Sequence, residues 1–239
     1  NEIVTIKYDS KGNEKWIRTY PTYSGDFLRP TLSAVDESNN LVIIGYQYTD
    51  ATDYDFVTLK YSLYGDLMWS RLFSGEFDDY ANSLFLDDKN NILIGGSSYS
   101  IAYSDFLILK YSSEGDTMLV KFMEGGGLNS DAVNSILSDK MDNIYATGFS
   151  QSAGGVDHYL TIKLNSSGDT LWTKTYRNAY INSAYCINID SIGSVYVTGS
   201  GGSPGGNSGI LSVKYSQLTG NILNEESVFS KLSLKYSLL

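Results

Sequence analysis

Cys186 is the only cysteine and His158 the only histidine among the 239 residues. An intrachain disulfide is thereby excluded, and so is a Cys-based zinc site. A His-rich metal centre and any mechanism that needs two histidines are excluded as well. Proline is scarce, at 3 residues. No apolar run approaches the ~20 residues of a membrane-spanning helix, so membrane insertion is not expected. Cations are outnumbered, 17 Lys and Arg against 27 Asp and Glu, for a net charge of −10. Duplex nucleic acid and anionic membranes both require a basic footprint, so neither is an expected partner. Cation binding or solubility suits this charge better. The sequence opens on Asn1-Glu2-Ile3-Val4, inside a strand and without a leader or initiating Met. It reads as a mature product or an excised part of something longer.

What is abundant is 20 Tyr and 23 Gly, in a chain that is 42% hydrophobic. Tyr favours strands and Gly favours turns, so the composition leans towards β-structure with a full core. Both residues recur with a fixed period. A Lys closes an alternating strand at Lys7, Lys60, Lys110, Lys163 and Lys214, followed by Tyr in every copy but Leu164. A glycine follows at Gly12, Gly65, Gly115 and Gly168, with Gly220 one residue later. Trp16, Trp69, Leu119 and Trp172 come four residues after those first four glycines. A second set keeps the same register: Asp36, Asp87, Asp139 and Asp190, then Asn40, Asn91, Asn143 and Ser194, then Gly45, Gly96, Gly148 and Gly199.

Each period of about fifty residues reads as four short strands joined by tight turns rich in Asp, Asn and Gly. No stretch has a helical period. Four antiparallel strands per unit with glycine and aromatic marks predict an all-β fold, a β-propeller of four-stranded antiparallel blades. A parallel β-solenoid is the structural runner-up. The whole of 1–239 reads as one propeller domain. Complete blades are expected over 27–73, 79–123, 131–176 and 182–229. Residues 1–20 supply the third and fourth strands of a further blade. Residues 230–239 leave room for one closing strand, giving five blades with a composite blade joining the termini. The alternative is a fragment of a six- to eight-bladed ring.

The segments Asp87…Asn91-Ile-Leu-Ile-Gly-Gly, Asp105-Phe-Leu-Ile-Leu-Lys-Tyr and Gly65-Asp-Leu-Met-Trp resemble the bacterial β-propeller repeat family known as SBBP. The resemblance spans about 1–217. It departs at Leu119, at Leu164 and throughout 221–239. It implies a secreted or cell-surface bacterial protein, often part of a larger chain, and no single activity. Its repeat residues are structural, so no catalytic residue carries over.

The period-locked residues have structural readings. The four Asp are expected to bond turn N–H groups at hairpin corners. Calcium at one or two corners is the alternative, because Asp87, Asp88 and Asn90 offer oxygen ligands. Each Lys is expected to lay its stem over an aromatic ring and hold its head in water. The Trp residues are expected between neighbouring blades, and Cys186 as a small buried hydrophobe. His158 stands where other copies carry Asp55 or Asp105. The glycine-rich stretch 199–206 precedes a strand rather than a helix, so it reads as a flexible loop and not a phosphate cradle. No Ser–His–Asp set, metal cluster or nucleotide motif is present, and the expectation leans away from an enzyme.

The loops that do not repeat are therefore where function is sought. They join blade to blade or second strand to third. The candidate ligand-binding residues are Tyr23, Asp26, Asp53, Tyr54, Phe77, Asp79, Tyr80, Tyr103 and Tyr180. Aromatic rings with carboxylates suit sugars, cationic peptides or a partner protein. The expected function is an extracellular or cell-surface binding or adhesion module for a glycan, peptide or protein. A structural propeller of a larger surface protein is the second reading. A carbohydrate-active enzyme, needing two converging carboxylates, is the third.

Overall fold

The computed structural model describes residues 2–21, 27–49, 52–123, 129–177, 182–202, 208–218 and 221–230, and these contain strands and turns but no helix. The chain divides into two compact units, Asn1–Glu124 and Gly125–Leu239.

The first unit begins with a two-stranded sheet, β1 (Ile3–Tyr8) and β2 (Glu14–Tyr20). Two four-stranded sheets follow. One is β3 (Phe27–Val35), β4 (Leu41–Thr49), β5 (Thr52–Tyr61) and β6 (Leu67–Phe73). The other is β7 (Asp79–Leu86), β8 (Ile92–Tyr99), β9 (Ser104–Tyr111) and β10 (Thr117–Met123). The second unit holds β11 (Asp131–Ser138), β12 (Ile144–Gln151), β13 (Asp157–Leu164) and β14 (Thr170–Tyr176) in one sheet. Its other sheet is β15 (Asn182–Ile189), β16 (Val195–Gly202), β17 (Ser208–Leu218) and β18 (Asn221–Ser230). Every four-stranded sheet is an antiparallel meander in chain order, the strand order of a propeller blade. The proposed closing strand lies outside the described residues beyond Ser230.

One five-residue turn makes both the inner and the outer hairpins. At Asp36–Asn40 the Asn39 N–H donates to Asp36 O, and the Asp36 N–H to Asn40 O. At Asp9–Asn13 the Gly12 and Asp9 N–H groups do the same. The fourth residue is left-handed in each. Inner turns use Asn39, Asn90, Asp142 and Gly193, and outer turns use Gly12, Gly65, Gly115 and Gly168. Asn and Asp tolerate this region and Gly enters it freely. The first side chain then accepts the third and fifth N–H groups. Asp36 Oδ1 accepts from Ser38 and Asn40, and Asp139 Oδ1 from Met141 and Asn143. Ser112 Oγ and Asn165 Oδ1 do this work in outer turns.

The second period-locked glycine has a different cause. The first strand of each sheet carries a bulge, at Pro30/Leu32, Ala81/Ser83, Val133/Ser135 and Ala184/Cys186. A bulge bends its strand and re-aims the local backbone. Here it presses a carbonyl onto the second strand. A Cβ at Gly45, Gly96, Gly148 or Gly199 would collide with the carbonyl oxygens of Arg29, Tyr80, Ala132 or Ser183. The bulge also interrupts alternation in β15. Tyr185 and Cys186 are consequently both exposed, which corrects the expectation of a buried Cys186. The stretch 199–202 ends β16 as strand rather than loop, and 203–207 lie outside the described residues.

The first unit's core runs from face to face between sheets. Val42, Ile44, Phe56 and Trp69 pack on Ala81, Ile92, Ile94, Leu107 and Leu109. Ile3 packs with Leu28, Val57 and Leu59. In the second unit, Tyr145 and Tyr159 pack on Ala184, Val195, Val197 and Leu211.

Forward-reaching side chains lock successive sheets of the first unit. Lys7 Nζ and Trp16 Nε1 both donate to Leu63 O, at 3.0 and 3.2 Å. One repeat later Lys60 Nζ and Trp69 Nε1 both donate to Ser113 O, at 3.1 Å each. Arg18 and Arg71 Nε add bonds of 2.7 Å to Gly65 O and Gly115 O. The Trp16 and Trp69 rings lie against those same two glycines, where a Cβ would stand 2.8 Å from ring carbon. The tryptophans therefore sit between neighbouring sheets.

Candidate functional site

Among the described loops, candidate residues converge at one place, in the first unit. Tyr46 and Tyr48 end β4, Tyr54 begins β5, Tyr80 lies in β7 and Tyr99 ends β8. The Tyr54 and Tyr80 rings stack with centroids 5.9 Å apart. Tyr46 meets both edge-on, at 5.7 and 6.2 Å. Tyr48 lies 5.1 Å from Tyr54, and Tyr99 lies 5.9 Å from Tyr80. Edge and stacked contacts of this kind satisfy the ring quadrupoles. The rings fill their own gaps, so they form a platform rather than a slot. The Arg29 guanidinium lies 6.0 Å from the Tyr46 ring.

One carboxylate, Asp78, bonds the platform, and two more, Asp79 and Asp55, are buried near it. Asp78 Oδ1 accepts the Tyr54 N–H at 2.9 Å, and Asp78 Oδ2 accepts the Tyr80 hydroxyl at 3.1 Å. Burial, then this bond and the Asp78 charge, raise the Tyr80 hydroxyl above its ordinary pKa. Asp79 is fully enclosed, and its Oδ2 accepts the Gly75 N–H at 2.5 Å. Burial raises the Asp79 pKa. The bonds from Ser98 and Gly75 oppose that rise, and the charges of Asp55 and Asp78 add to it. Asp55 is also enclosed, and among the described residues neither its Oδ2 nor Asp79 Oδ1 has a hydrogen-bond partner. Burial of Asp79 and Asp55 keeps both carboxylates from the surface of the platform.

The structure thus brings together Tyr54, Asp79 and Tyr80 from the sequence candidates. Phe77 and Tyr103 lie half-buried in adjoining loops. Tyr23, Asp26 and Tyr180 lie outside the described residues, as does the Asp53 side chain. Tyr46, Tyr48 and Tyr99 were missed because they end regular strands rather than occupy loops. Their signal was the spacing Gly45-Tyr46-Gln47-Tyr48: alternation aims both tyrosines the same way.

The period-locked lysines and aspartates meet one another. Lys60 Nζ lies 3.0 Å from Asp36 Oδ2, and Lys110 Nζ lies 2.9 Å from Asp87 Oδ2. Both pairs are buried, so these lysines do not carry their heads into water as expected. Lys163 is buried as well. Burial alone would raise the Asp36 and Asp87 pKa values. The lysine and asparagine bonds outweigh it and hold both carboxyls below their ordinary range. The corner offered for calcium is already engaged. Asp87 Oδ1 accepts from Lys89 and Asn91 N–H, Asp87 Oδ2 also accepts from Asn91 Nδ2, and Asn90 Oδ1 accepts from Glu37 N–H. No group of three or more His, Cys, Asp or Glu among the described residues could hold a metal. His158 is buried, its Nδ1 has no hydrogen-bond partner among the described residues, and burial and then Arg177 lower its pKa.

A cavity of about 590 Å³ lies at the opposite end of the strands from Tyr54, lined by Arg18, Tyr20, Tyr61, Gly65, Leu67 and Ser70 among others. It shares no residue with the platform.

No protein-family model and no curated protein matches the chain. Among solved structures it is similar to the extracellular domains 1–2 of Drosophila semaphorin 1b, at 8% identity and a TM-score of 0.27, over 95% of this chain and 77% of that one. At that level the superposition bears on neither fold nor function.

Proposed function

We propose that this chain is an extracellular binding module, a five-bladed β-propeller of the SBBP type whose tyrosine platform takes a glycan. In this reading β1 and β2 are the outer half of the fifth blade. The observation that carries the binding role is the convergence of Tyr46, Tyr48, Tyr54, Tyr80 and Tyr99 at one end of two adjacent sheets. Aromatic faces stack on the apolar faces of sugars, and their hydroxyls meet the polar edges. Asp78 already holds the Tyr54 backbone and the Tyr80 hydroxyl, which lessens the ordering left to occur on binding.

A glycan array probed with the whole chain tests the reading. Tyr80→Ala and Tyr54→Ala should each weaken any glycan found by about tenfold, roughly 1.4 kcal/mol. Glycan binding that survives both substitutions would move the site elsewhere. An array with no glycan bound would end this reading.

A further inference from the structure

Two sheet-to-sheet interfaces of the first unit can be compared position by position. Alternation turns Trp16, Arg18 and Tyr20 of β2 to one face, and Trp69, Arg71 and Phe73 of β6 to the matching face. The tryptophan and the arginine recur, and both arginines bond a glycine carbonyl of the next copy. Their recurrence marks them as structural. Two other positions do not recur. Tyr20 stands where the next copy has Phe73, and Ser70 where it has Val120. Phe73 stacks on Phe56 with centroids 4.8 Å apart and lies 6.3 Å from Phe122, so phenyl rings pack the second interface. At the first, Tyr20 and Ser70 instead border the cavity of about 590 Å³.

Tyr61 also lines this cavity, although only 3% of the residue is exposed. Among the described residues, neither its hydroxyl nor that of Tyr20 has a hydrogen-bond partner. Burial raises the Tyr61 pKa, Tyr20 adds to the rise and Arg18 opposes it. The three groups therefore stand close together, and the Tyr61 phenol keeps its proton to donate. Arg18 is fixed by the carbonyls of Gly65, Ile17 and Tyr64, at 2.7, 2.8 and 3.3 Å. Its guanidinium lies 5.8 Å from the Trp16 ring centroid. These bonds leave one N–H each on Nη1 and Nη2. No carboxylate among the described residues pairs with Arg18.

We propose that this cavity is a binding site for a small aromatic carboxylate, held by the Tyr20 and Tyr61 hydroxyls and charge-balanced by Arg18. The two tyrosine rings, Pro21 and Leu67 give a flat ring its walls. The volume falls within the roughly 300–1,000 Å³ of small-molecule sites. Bonds from a phenol to a carboxylate are charge-assisted, and stronger than the bonds to water that they replace. One cation suits one negative charge. A phosphate dianion would exceed it, and would also meet Asp66, which lines the same cavity and accepts the Ser62 hydroxyl at 3.3 Å. All the lining residues are described and belong to the first unit. The site involves no residue of the tyrosine platform, so it stands whether or not that platform takes a glycan.

The test titrates the whole chain with benzoate, followed by amide NMR. Saturable shifts are expected at residues 18–21 and 61–70, with a Kd of about 1 mM or tighter. Benzamide keeps the ring and loses the charge, and should bind at least about tenfold more weakly. Tyr61→Phe keeps the ring and removes one donor, and should weaken benzoate about tenfold. The double variant Tyr20→Phe with Ser70→Val gives the first interface the side chains of the second. It should abolish binding while the thermal midpoint holds or rises, so a folding defect cannot mimic the result. Failure of benzoate to saturate by about 10 mM would overturn the proposal. Equal affinity for benzamide would do so too, as would benzoate binding that survives the double variant. Preference for benzylamine over benzoate would assign the cavity to Asp66 and a cation instead.

Discussion

The same lysine is neutralised in two ways in the two units. In the first unit, Lys60 and Lys110 bond Asp36 and Asp87 directly. In the second, a tyrosine enters the arrangement. Tyr145 donates to Asp139 Oδ2 at 2.9 Å while Lys163 Nζ lies 5.0 Å over its ring. Tyr196 donates to Asp190 Oδ2 at 3.1 Å while Lys214 Nζ lies 5.3 Å over its ring. One position decides the outcome. It is Val42 and Leu93 in the first unit and Tyr145 and Tyr196 in the second. A short aliphatic side chain leaves the carboxylate open to the ammonium. A tyrosine supplies a hydroxyl for the anion and a π face for the cation. Burial lowers the Lys163 pKa, and Asp139 acts against that.

The largest test of this contrast is to remove the cation. Lys110→Met strands a buried Asp87 and should cost about 3–5 kcal/mol. Lys163→Met should cost less, about 1–2 kcal/mol, because Asp139 keeps the Tyr145 hydroxyl and its turn bonds. Denaturant melts followed by amide exchange in each unit would measure both, since two units need not unfold together. Equal losses would break the contrast.

The lock residues offer a second test. Trp69 Nε1 donates to Ser113 O, so Trp69→Phe should cost about 1–1.5 kcal/mol. Trp172 Nε1 is buried with no partner among the described residues. Trp172→Phe should therefore fall within about 0.5 kcal/mol of neutral, or stabilise. Tyr145→Phe should cost about 1 kcal/mol and raise the Asp139 pKa, read by NMR titration. An unmoved Asp139 would remove the hydroxyl from the account.

The smallest effect is in pH. Asp79 has a raised pKa in the fold. The folded chain therefore binds its proton more tightly than the unfolded chain, whose Asp titrates near about 3.9. Its contribution to stability is full below that value and is lost as pH rises through the folded pKa. Asp36 and Asp87 are lowered. Their contribution is present above the same value and is lost as pH falls through theirs. Asp79→Asn should flatten only the upper slope of a stability–pH curve. An unchanged upper slope would show that Asp79 does not set it.

Much of this was legible in the repeat. Four-stranded antiparallel sheets follow from strands that alternate between Asp, Asn and Gly turns. The corner role of Asp36, Asp87, Asp139 and Asp190 follows from their place before those turns. The lysine partners did not follow, although Lys60 and Asp36 are 24 residues apart and Lys110 and Asp87 are 23 apart in sequence. That near-constant interval was the available signal. It was passed over because a long basic side chain is ordinarily solvated. Cys186 escaped because alternation does not survive an unseen bulge. The platform was half legible. Tyr54 and Tyr80 stand in variable segments, but Tyr46, Tyr48 and Tyr99 belong to strands whose ends no local pattern marks.

The carbonyls of Leu63 and Ser113 carry a consequence for how such a chain grows. Each receives a Lys and a Trp from the copy before it. In the first unit the first two copies thus bring the keys, and the copy after each brings the keyhole. Duplicating the period that holds Lys60 and Trp69 leaves each of these keys facing a keyhole. Inserting one residue between Ser112 and Asp116 misaligns a single pair and gains nothing in return. Drift by whole repeats is open to this architecture, and drift by single residues at that turn is closed.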